Sequence, residues 1–271
     1  MNSLEDTAMT TRRLFACVFA CRFACPFAIG PLFAASWPAA AASAAAPDAA
    51  VLLKNSDVAR GGGLPGVVWR VALRVMDGDK VVDEQGLTIK ADTQNSLAEF
   101  FSPPNIADQK LLISGRNIWF LRTGLRKPVP ISPRQRLLGQ ASNGDIAATN
   151  YAGSYLATWT GDVNIDGRPC HQLDLLANGD NLTYPRIRYW IAVESGLAVK
   201  ADFFALSQKV IKSATFEYAN TVEYKGKKVP FISRMTIEDQ INKGQKTVLE
   251  YSHVLAQEVP RRYFDVNFLA N

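Results

Sequence analysis

Apolar and polar positions alternate along most of this chain, and the alternation begins abruptly. In "VVWRVALRV" Val67, Trp69, Val71, Leu73 and Val75 share one face, while Val68, Arg70, Ala72 and Arg74 share the other. A period of two is that of a half-buried antiparallel strand. "VVDEQGLTIKA", "SLAEFFSP" and "KLLISGRNIWFLR" continue the pattern. After a gap come "YLATWTGDVNI", "CHQLDLLA", "YPRIRYWIAV", "AVKADFFA", "KVIKSATFEYANTVEY", "KKVPFISRMTIED" and "KTVLEYSHVLA". Turn residues separate them: Asp77-Gly78, Asp166-Gly167, "ESG", "LSQ", "YKGK" and "NKGQ", the vocabulary of tight hairpins. About ten or eleven strands in series, without a βαβ unit or a linker, predict one antiparallel sheet. A sheet that long must curl. The expected class is mainly β (α+β): a barrel, or a strongly curved half-barrel with something over its open face.

Two stretches break the alternation. "DAAVLLKNSDVAR" (48–60) reads as a short helix capped by Asp48, with Val51, Leu52 and Ala59 on an apolar side and Gly61-Gly62-Gly63 ending it. "RQRLLGQASNGDIAATNY" (134–151) carries two arginines, then Leu137-Leu138-Gly139, a polar turn and a short helix-like piece. The residues expected on the concave face are bulky: Trp69, Leu73, Phe120, Trp159, Tyr189, Phe203, Phe216, Tyr218, Phe231 and Met235. Any one of them fills an ordinary core. Together, in a large curled sheet with only two short helices to fill it, they predict an apolar cavity or groove.

The N-terminus reads differently. Arg12-Arg13 precede an apolar, alanine-rich run that ends in Ala42-Ser43-Ala44. A basic start, an apolar stretch and small-x-small residues are the pattern of a secretory signal. Arg22, Pro26, Pro31 and Pro38 interrupt the run, leaving no clean span of about 20 residues for a membrane anchor. The expected division is a cleaved leader, 1–44, and one domain, 45–271. "TRRLF" is also similar to a twin-arginine signal, so the choice between Sec and twin-arginine export stays open. Cys17, Cys21 and Cys25 fall in the leader; the expected mature chain keeps Cys170 alone, so no internal disulfide is available.

The formal charge is +5, from 30 basic and 25 acidic residues. Without Arg12, Arg13, Arg22, Glu5 and Asp6 the counts are 27 and 23. This mild excess suits work near anionic surfaces but also any solvated face. No basic run with interleaved aromatics points to nucleic acid. Of the two histidines, His171 follows Cys170, so in a strand the two point to opposite faces and form no catalytic pair. His253 shares a face with Thr247, Leu249, Tyr251 and Leu255, as a structural histidine does. "DGD" (77–79) and "NGDN" (178–181) lack the ligand spacing of a calcium loop. No HExxH, GxSxG or SxxK occurs. The expectation is no enzyme, no metal and no cofactor.

The order of segments carries a resemblance. "RG" at 60–61 leads into the sheet. "FFSPPNIADQKLLISGRNIWFLRTGLRKPVPISPRQRLLGQ", "YPRIRYWIAVESGLAVKADFF" and a closing "KTVLEYSHV" with "VPRRYFDVNFL" follow. From about residue 48 to 270 this resembles the outer-membrane lipoprotein-sorting, LolA-like family of exported proteins. The resemblance implies an incomplete β-barrel covered by helices around an apolar cavity, in a periplasmic monomer that shields lipid or lipoprotein acyl chains. It implies an RND/MMPL-type inner-membrane transporter as a possible partner, and it leaves an envelope sensor on the same fold as the alternative. Trp119 stands where the family shows a substrate-side strand; Phe100 and Leu138 complete the expected cavity set. Residues 134–151 fall where the family has a lid. Arg134, Arg136 and Gly139 match its pattern, and "DIAATNY" replaces its acidic-leucine element. Leu137, Leu138, Ile146 and Ala147 are then expected to cover the mouth, with Arg134 and Arg136 facing anionic headgroups at the rim.

Overall fold

A computed structural model describes residues 46–147 and 150–270. The expected leader, with Cys17, Cys21 and Cys25, lies outside the described residues. Asp48 opens α1 (Ala49–Val58): its carboxylate accepts the N–H groups of Ala50 and Val51 at 2.9 and 3.2 Å, satisfying donors that every helix start leaves open. Gly61 and Gly63, both at positive φ, then turn the chain into the sheet.

The strands come in two meanders. The first comprises β1 (Val67–Asp77), β2 (Lys80–Ala91), β3 (Asn95–Ser102), β4 (Lys110–Ser114), β5 (Asn117–Leu121) and β6 (Val129–Ile131). A strap of β7 (Arg136–Leu138), β8 (Ala141–Ser142) and α2 (Asn143–Ala147) follows. The second meander has β9 (Tyr155–Ile165), β10 (Arg168–Ala177), β11 (Arg186–Ala192), β12 (Ala198–Phe204) and β13 (Val210–Glu217). The hairpin β14 (Asn220–Tyr224) and β15 (Lys227–Phe231) leads to β16 (Arg234–Asp239), β17 (Gln245–Ala256) and a terminal α3 (Val266–Ala270).

Thirteen of these strands form one sheet, ordered β6-β5-β4-β3-β2-β1-β17-β16-β13-β12-β11-β10-β9. Neighbours are antiparallel throughout, and β17 joins the first meander to the second through β1 and β16. β6 and β9 are free edges, so the sheet is not closed. This is the expected mainly β half-barrel.

Three runs that alternate like single strands each divide. "KLLISGRNIWFLR" folds back at Gly115, φ 61°. "KVIKSATFEYANTVEY" and "KKVPFISRMTIED" part at 218–219 and 232–233, where β14 and β15 leave the main sheet. Ser233 pins that departure: its hydroxyl accepts the Ala219 N–H at 2.9 Å and its own N–H donates to the Glu217 carbonyl at 2.8 Å. Hydrophobic period reports which way a side chain points, not when a strand changes sheet. The inward face of α1 differs too. Val51 is 51% exposed, and Ala49, Leu53, Ser56 and Asp57 are the buried positions. Ser56 Oγ donates to the Leu53 carbonyl of its own helix at 3.1 Å, and Asp57 accepts from the Ala152 N–H.

The sheet buries its concave side in one large cluster that includes Val67, Trp69, Val71 and Leu73 of β1 and Phe203, Met235 and Leu249 of the neighbouring strands. Burying each such side chain stabilises by about 1.5–3 kcal/mol. On the opposite side Leu97, Leu112 and Leu121 pack under the C-terminal segment through Val259 and Phe264.

Candidate functional site: a covered concave face

The structure gathers most of the expected cavity residues. Trp69, Leu73, Phe100, Leu138, Tyr189, Phe203, Phe216, Phe231 and Met235 are buried members of the concave cluster, and Phe120, Trp159 and Tyr218 pack against it half-buried. Trp119 is elsewhere. It belongs with Leu121 to the cluster under the C-terminal segment, because successive residues of β5 point to opposite faces and Phe120 takes the concave one. Trp69 and Phe231 meet edge to face at 5.6 Å, and Tyr189 meets Phe216 at 6.0 Å. Three polar atoms buried in this region have no hydrogen-bond partner among the described residues: Trp69 Nε1, Tyr218 Oη and Asp57 Oδ1. Native interiors leave few such groups.

Two hairpins cover the concave face, at opposite ends of the central strands. Where β1 begins and β17 ends, the β14–β15 hairpin lies down through apolar residues: Val222, Phe231 and Ile232 are all buried. Its main chain is sewn in as well. The Ile232 N–H donates to the Ala59 carbonyl at 2.8 Å, and Asn220 Nδ2 donates to the carbonyls of Ile232 and Tyr251 at 2.8 and 2.7 Å.

Where β1 ends and β13 begins, the strap buries Leu138, Ala141 and Ile146 and is tied besides by many polar groups. Gly139 has φ 51°, and a Cβ there would fall on Thr247 Oγ1 and Val75 Cγ2. Only glycine gives both the left-handed turn and the close approach. The next N–H, that of Gln140, donates to Thr247 Oγ1 at 2.8 Å, and the Gln140 side chain donates to Gln245 Oε1 at 3.0 Å. Arg134 donates from Nε and Nη2 to the carbonyls of Leu182 and Asp180, at 2.9 and 3.1 Å. Asp145, buried in α2, accepts from the Ser142 N–H at 2.8 Å and from Tyr184 Oη at 2.9 Å. Lys212 of β13 donates to Ser142 Oγ at 2.9 Å and stands 3.9 Å from the Asp145 carboxylate. Burial raises the pKa of Asp145 against the pull of Lys212, and burial lowers that of Lys212 against the pull of Asp145.

The strap continues under α1. The Ala152 N–H donates to Asp57 Oδ2 at 2.7 Å. Arg60, 6% exposed, lays its guanidinium 4.3 Å over the Tyr151 ring and 5.4 Å from that of Phe216, and donates to Tyr189 Oη at 3.4 Å. Burial pushes the Asp57 carboxyl up to about 7, although Arg60 and two backbone N–H groups oppose it. Asp57, Arg60, Asp145 and Lys212 were not legible as site residues. Asp57 and Arg60 stand three apart at a helix end, which reads as a solvated ion pair. Lys212 shares a face with Ala214 and Phe216, but near the start of β13 a lysine reads as reaching past the core to solvent.

This arrangement has a chemical consequence. Polar ties between strap and sheet can be exchanged for water when the strap lifts, at a net cost of about 1 kcal/mol each. The apolar part of the β14–β15 hairpin's hold, and of the strap's own through Leu138, Ala141 and Ile146, has no such exchange open to it.

The remaining candidates fall outside the cover. Cys170 is buried with Trp190 and Ala192, and His171 pairs through Nδ1 with Asp162 Oδ1 at 2.6 Å on an open part of the sheet. His253 is exposed at φ 53°, within an irregular stretch of the β1–β17 pairing. Among the described residues no three His, Cys, Asp or Glu side chains gather as metal ligands. No described helix is long and apolar enough to cross a membrane.

Comparison with known proteins places this geometry. A family model described as an "Uncharacterized protein" matches residues 92–271. No curated protein matches the chain. A LolA superfamily protein from Nitrosomonas europaea superposes with a TM-score of 0.73 at 26% identity, over 82% of this chain and 100% of that one. A DUF1329 family protein from Desulfovibrio piger gives 0.66 at 19% identity, over 82% and 97%. An outer membrane lipoprotein-sorting protein domain from Vibrio parahaemolyticus gives 0.68 at 15%, over 82% and 98%. The last two speak to fold alone. The expected LolA-like resemblance holds.

Proposed function

We propose that this chain, which belongs to the "Uncharacterized protein" family matching residues 92–271 and has the LolA-like fold, is a non-enzymatic periplasmic carrier of lipid or lipoprotein acyl chains. The carrying observation is the unclosed sheet whose aromatic concave face lies under a strap tied by polar groups. An acyl chain gains about 0.8 kcal/mol per CH₂ on leaving water. Trp69, Tyr189, Phe203, Phe216 and Phe231 offer the surface that chain needs once the strap has lifted, and Trp69 Nε1 and Tyr218 Oη offer unpaired polar groups beside it. The leader read at residues 1–44 supports export. The LolA superfamily name of the Nitrosomonas structure is in keeping with this reading. An RND/MMPL-type transporter is the partner class that would deliver the acyl cargo, and the carrier works as a monomer.

Tryptophan positions provide the test. Variants that keep a single tryptophan, either Trp69 or Trp119, are titrated with a brominated fatty acid, a contact quencher. Entry on the concave side quenches Trp69 and spares Trp119. Equal quenching of the two, or quenching of Trp119 alone, removes the concave face as the binding surface. Saturable quenching of neither removes the carrier reading and leaves a partner-binding sensor on this fold.

A further inference from the structure

Beside the strap, against the turn between β12 and β13, lies a cleft of about 500 Å³, within the usual range for a small-molecule site. Arg134 and Arg136 of the strap and Lys212 of β13 all line it. Arg134 is occupied by the carbonyls of Leu182 and Asp180. The Arg136 side chain is exposed and makes no hydrogen bond or close ion pair among the described residues, with Asp239 the acid that attracts it. Lys212 is mostly buried and bonded to Ser142 and, at 3.4 Å, to Tyr184. The opposite wall is apolar. Leu206, 76% exposed, and Ile211 stand next to these cations above the buried Phe204.

The acids nearby balance the charge only in part. Asp145, in the strap, pairs with Lys212, and Asp239, opposite Lys212 in the β13–β16 pairing, attracts both Lys212 and Arg136 while accepting from Ile241 and Asn242 at 2.7 and 2.9 Å; the three cations outnumber these two acids. Arg186, behind Phe204, is already paired with Asp174 at 2.7 Å. The cleft is therefore cationic at one end and greasy at the other.

We propose that this cleft binds the anionic headgroup of an amphiphile, a phosphate or carboxylate, between Arg136 and Lys212, with the first carbons of its chain on Leu206 and Ile211. This deepens the carrier reading and rests on it for where the rest of the chain goes. Docking is also coupled to the strap. An oxyanion at Lys212 competes with Ser142 Oγ and Asp145 for the same ammonium donors, so the headgroup that arrives at the cleft loosens the tie between strap and β13.

Calorimetric titration of the purified protein with dodecyl phosphate, dodecyl maltoside and inorganic phosphate separates the alternatives. Dodecyl phosphate is expected to bind roughly tenfold more tightly than dodecyl maltoside, with inorganic phosphate weaker still. Arg136→Gln should remove most of that preference while leaving dodecyl maltoside unchanged. The Arg136 side chain is exposed, so this variant is expected to fold, which circular dichroism checks; Lys212→Met is the second and should also raise amide exchange in the strap. Equal affinity for the two detergents, or an unaltered preference in Arg136→Gln, overturns the headgroup site while leaving the carrier standing. Inorganic phosphate binding as tightly as dodecyl phosphate makes the cleft a free-anion site and overturns the amphiphile. Preference for dodecyl phosphate without quenching of Trp69 by its brominated analogue keeps the headgroup site and removes the carrier. Absence of binding by all three overturns both.

Discussion

The two ends of the concave face are closed by the same device, a two-stranded hairpin, but the balance of apolar and polar ties differs between them. At the β14–β15 end, Phe231 and Ile232 are buried against Trp69 and the start of the sheet, and main-chain bonds to Ala59 and Tyr251 sew the hairpin down. At the strap end Leu138, Ala141 and Ile146 are buried too, but the ties include a glycine contact, several side-chain hydrogen bonds and the Lys212–Asp145 pair. Apolar burial is lost in full when an element lifts. Polar ties are largely replaced by water. The larger share of polar ties at the strap predicts that it opens before the β14–β15 end does.

The largest effect that sharpens this contrast is at the β14–β15 end. Phe231→Ala should cost about 3–5 kcal/mol and lower the melting temperature of the whole sheet in a single transition. A melt that instead shows only local loosening at 220–231 would mean the hairpin is as separable as the strap. Next comes Gly139→Ala. The residue gains a strained φ and a Cβ aimed at Thr247 and Val75, worth about 2 kcal/mol or more. Hydrogen exchange should rise at 136–146 and stay slow in β16 and β17. Loss of protection across the sheet would contradict a strap that opens by itself.

A pH effect ranks third. The Asp57 carboxyl titrates near 7 in the folded protein, well above its ordinary value, chiefly through burial. Between about pH 4 and pH 7 the folded state therefore binds the extra proton, and stability falls as pH rises through that window, on the order of 1–3 kcal/mol. Asp57→Asn should flatten this slope in denaturant titrations at several pH values; an unchanged slope assigns the titration elsewhere. The smallest effect is Ser142→Ala, which removes one partner of Lys212 and should cost about 1 kcal/mol, confined to strap exchange rates.

The sheet was legible because period-two alternation and turn pairs such as Asp166-Gly167 are local signals. Asp166 and Gly167 do take the positive φ their turn needs, 49° and 83°. The places where strands leave the sheet were not legible. "FEYANTVEY" keeps its alternation through 218–219 while the chain passes from β13 into a separate hairpin, and Ser233, which fixes that break, looks like any strand serine. The strap was visible as an interruption, and Gly139 as a turn glycine, but its fastening was not. Asp57, Arg60, Asp145 and Lys212 are 155 positions apart end to end, and their meaning comes from burial alone. Trp119 and Phe120 show the same limit at closer range. Either could be assigned to the concave face, and only the phase of β5 against its neighbours decides for Phe120.

One measurement tests the carrier most directly. The protein is purified from periplasm without detergent and extracted with organic solvent, and the extract is analysed by mass spectrometry against the protein's molar amount. A carrier yields an acyl lipid or lipopeptide in near-stoichiometric quantity, and Gly139→Ala, with its strap loosened, yields less. A folded protein that releases no acyl species, and acquires none when incubated with lipid vesicles, contradicts the carrier and returns the concave aromatics to the role of an ordinary core.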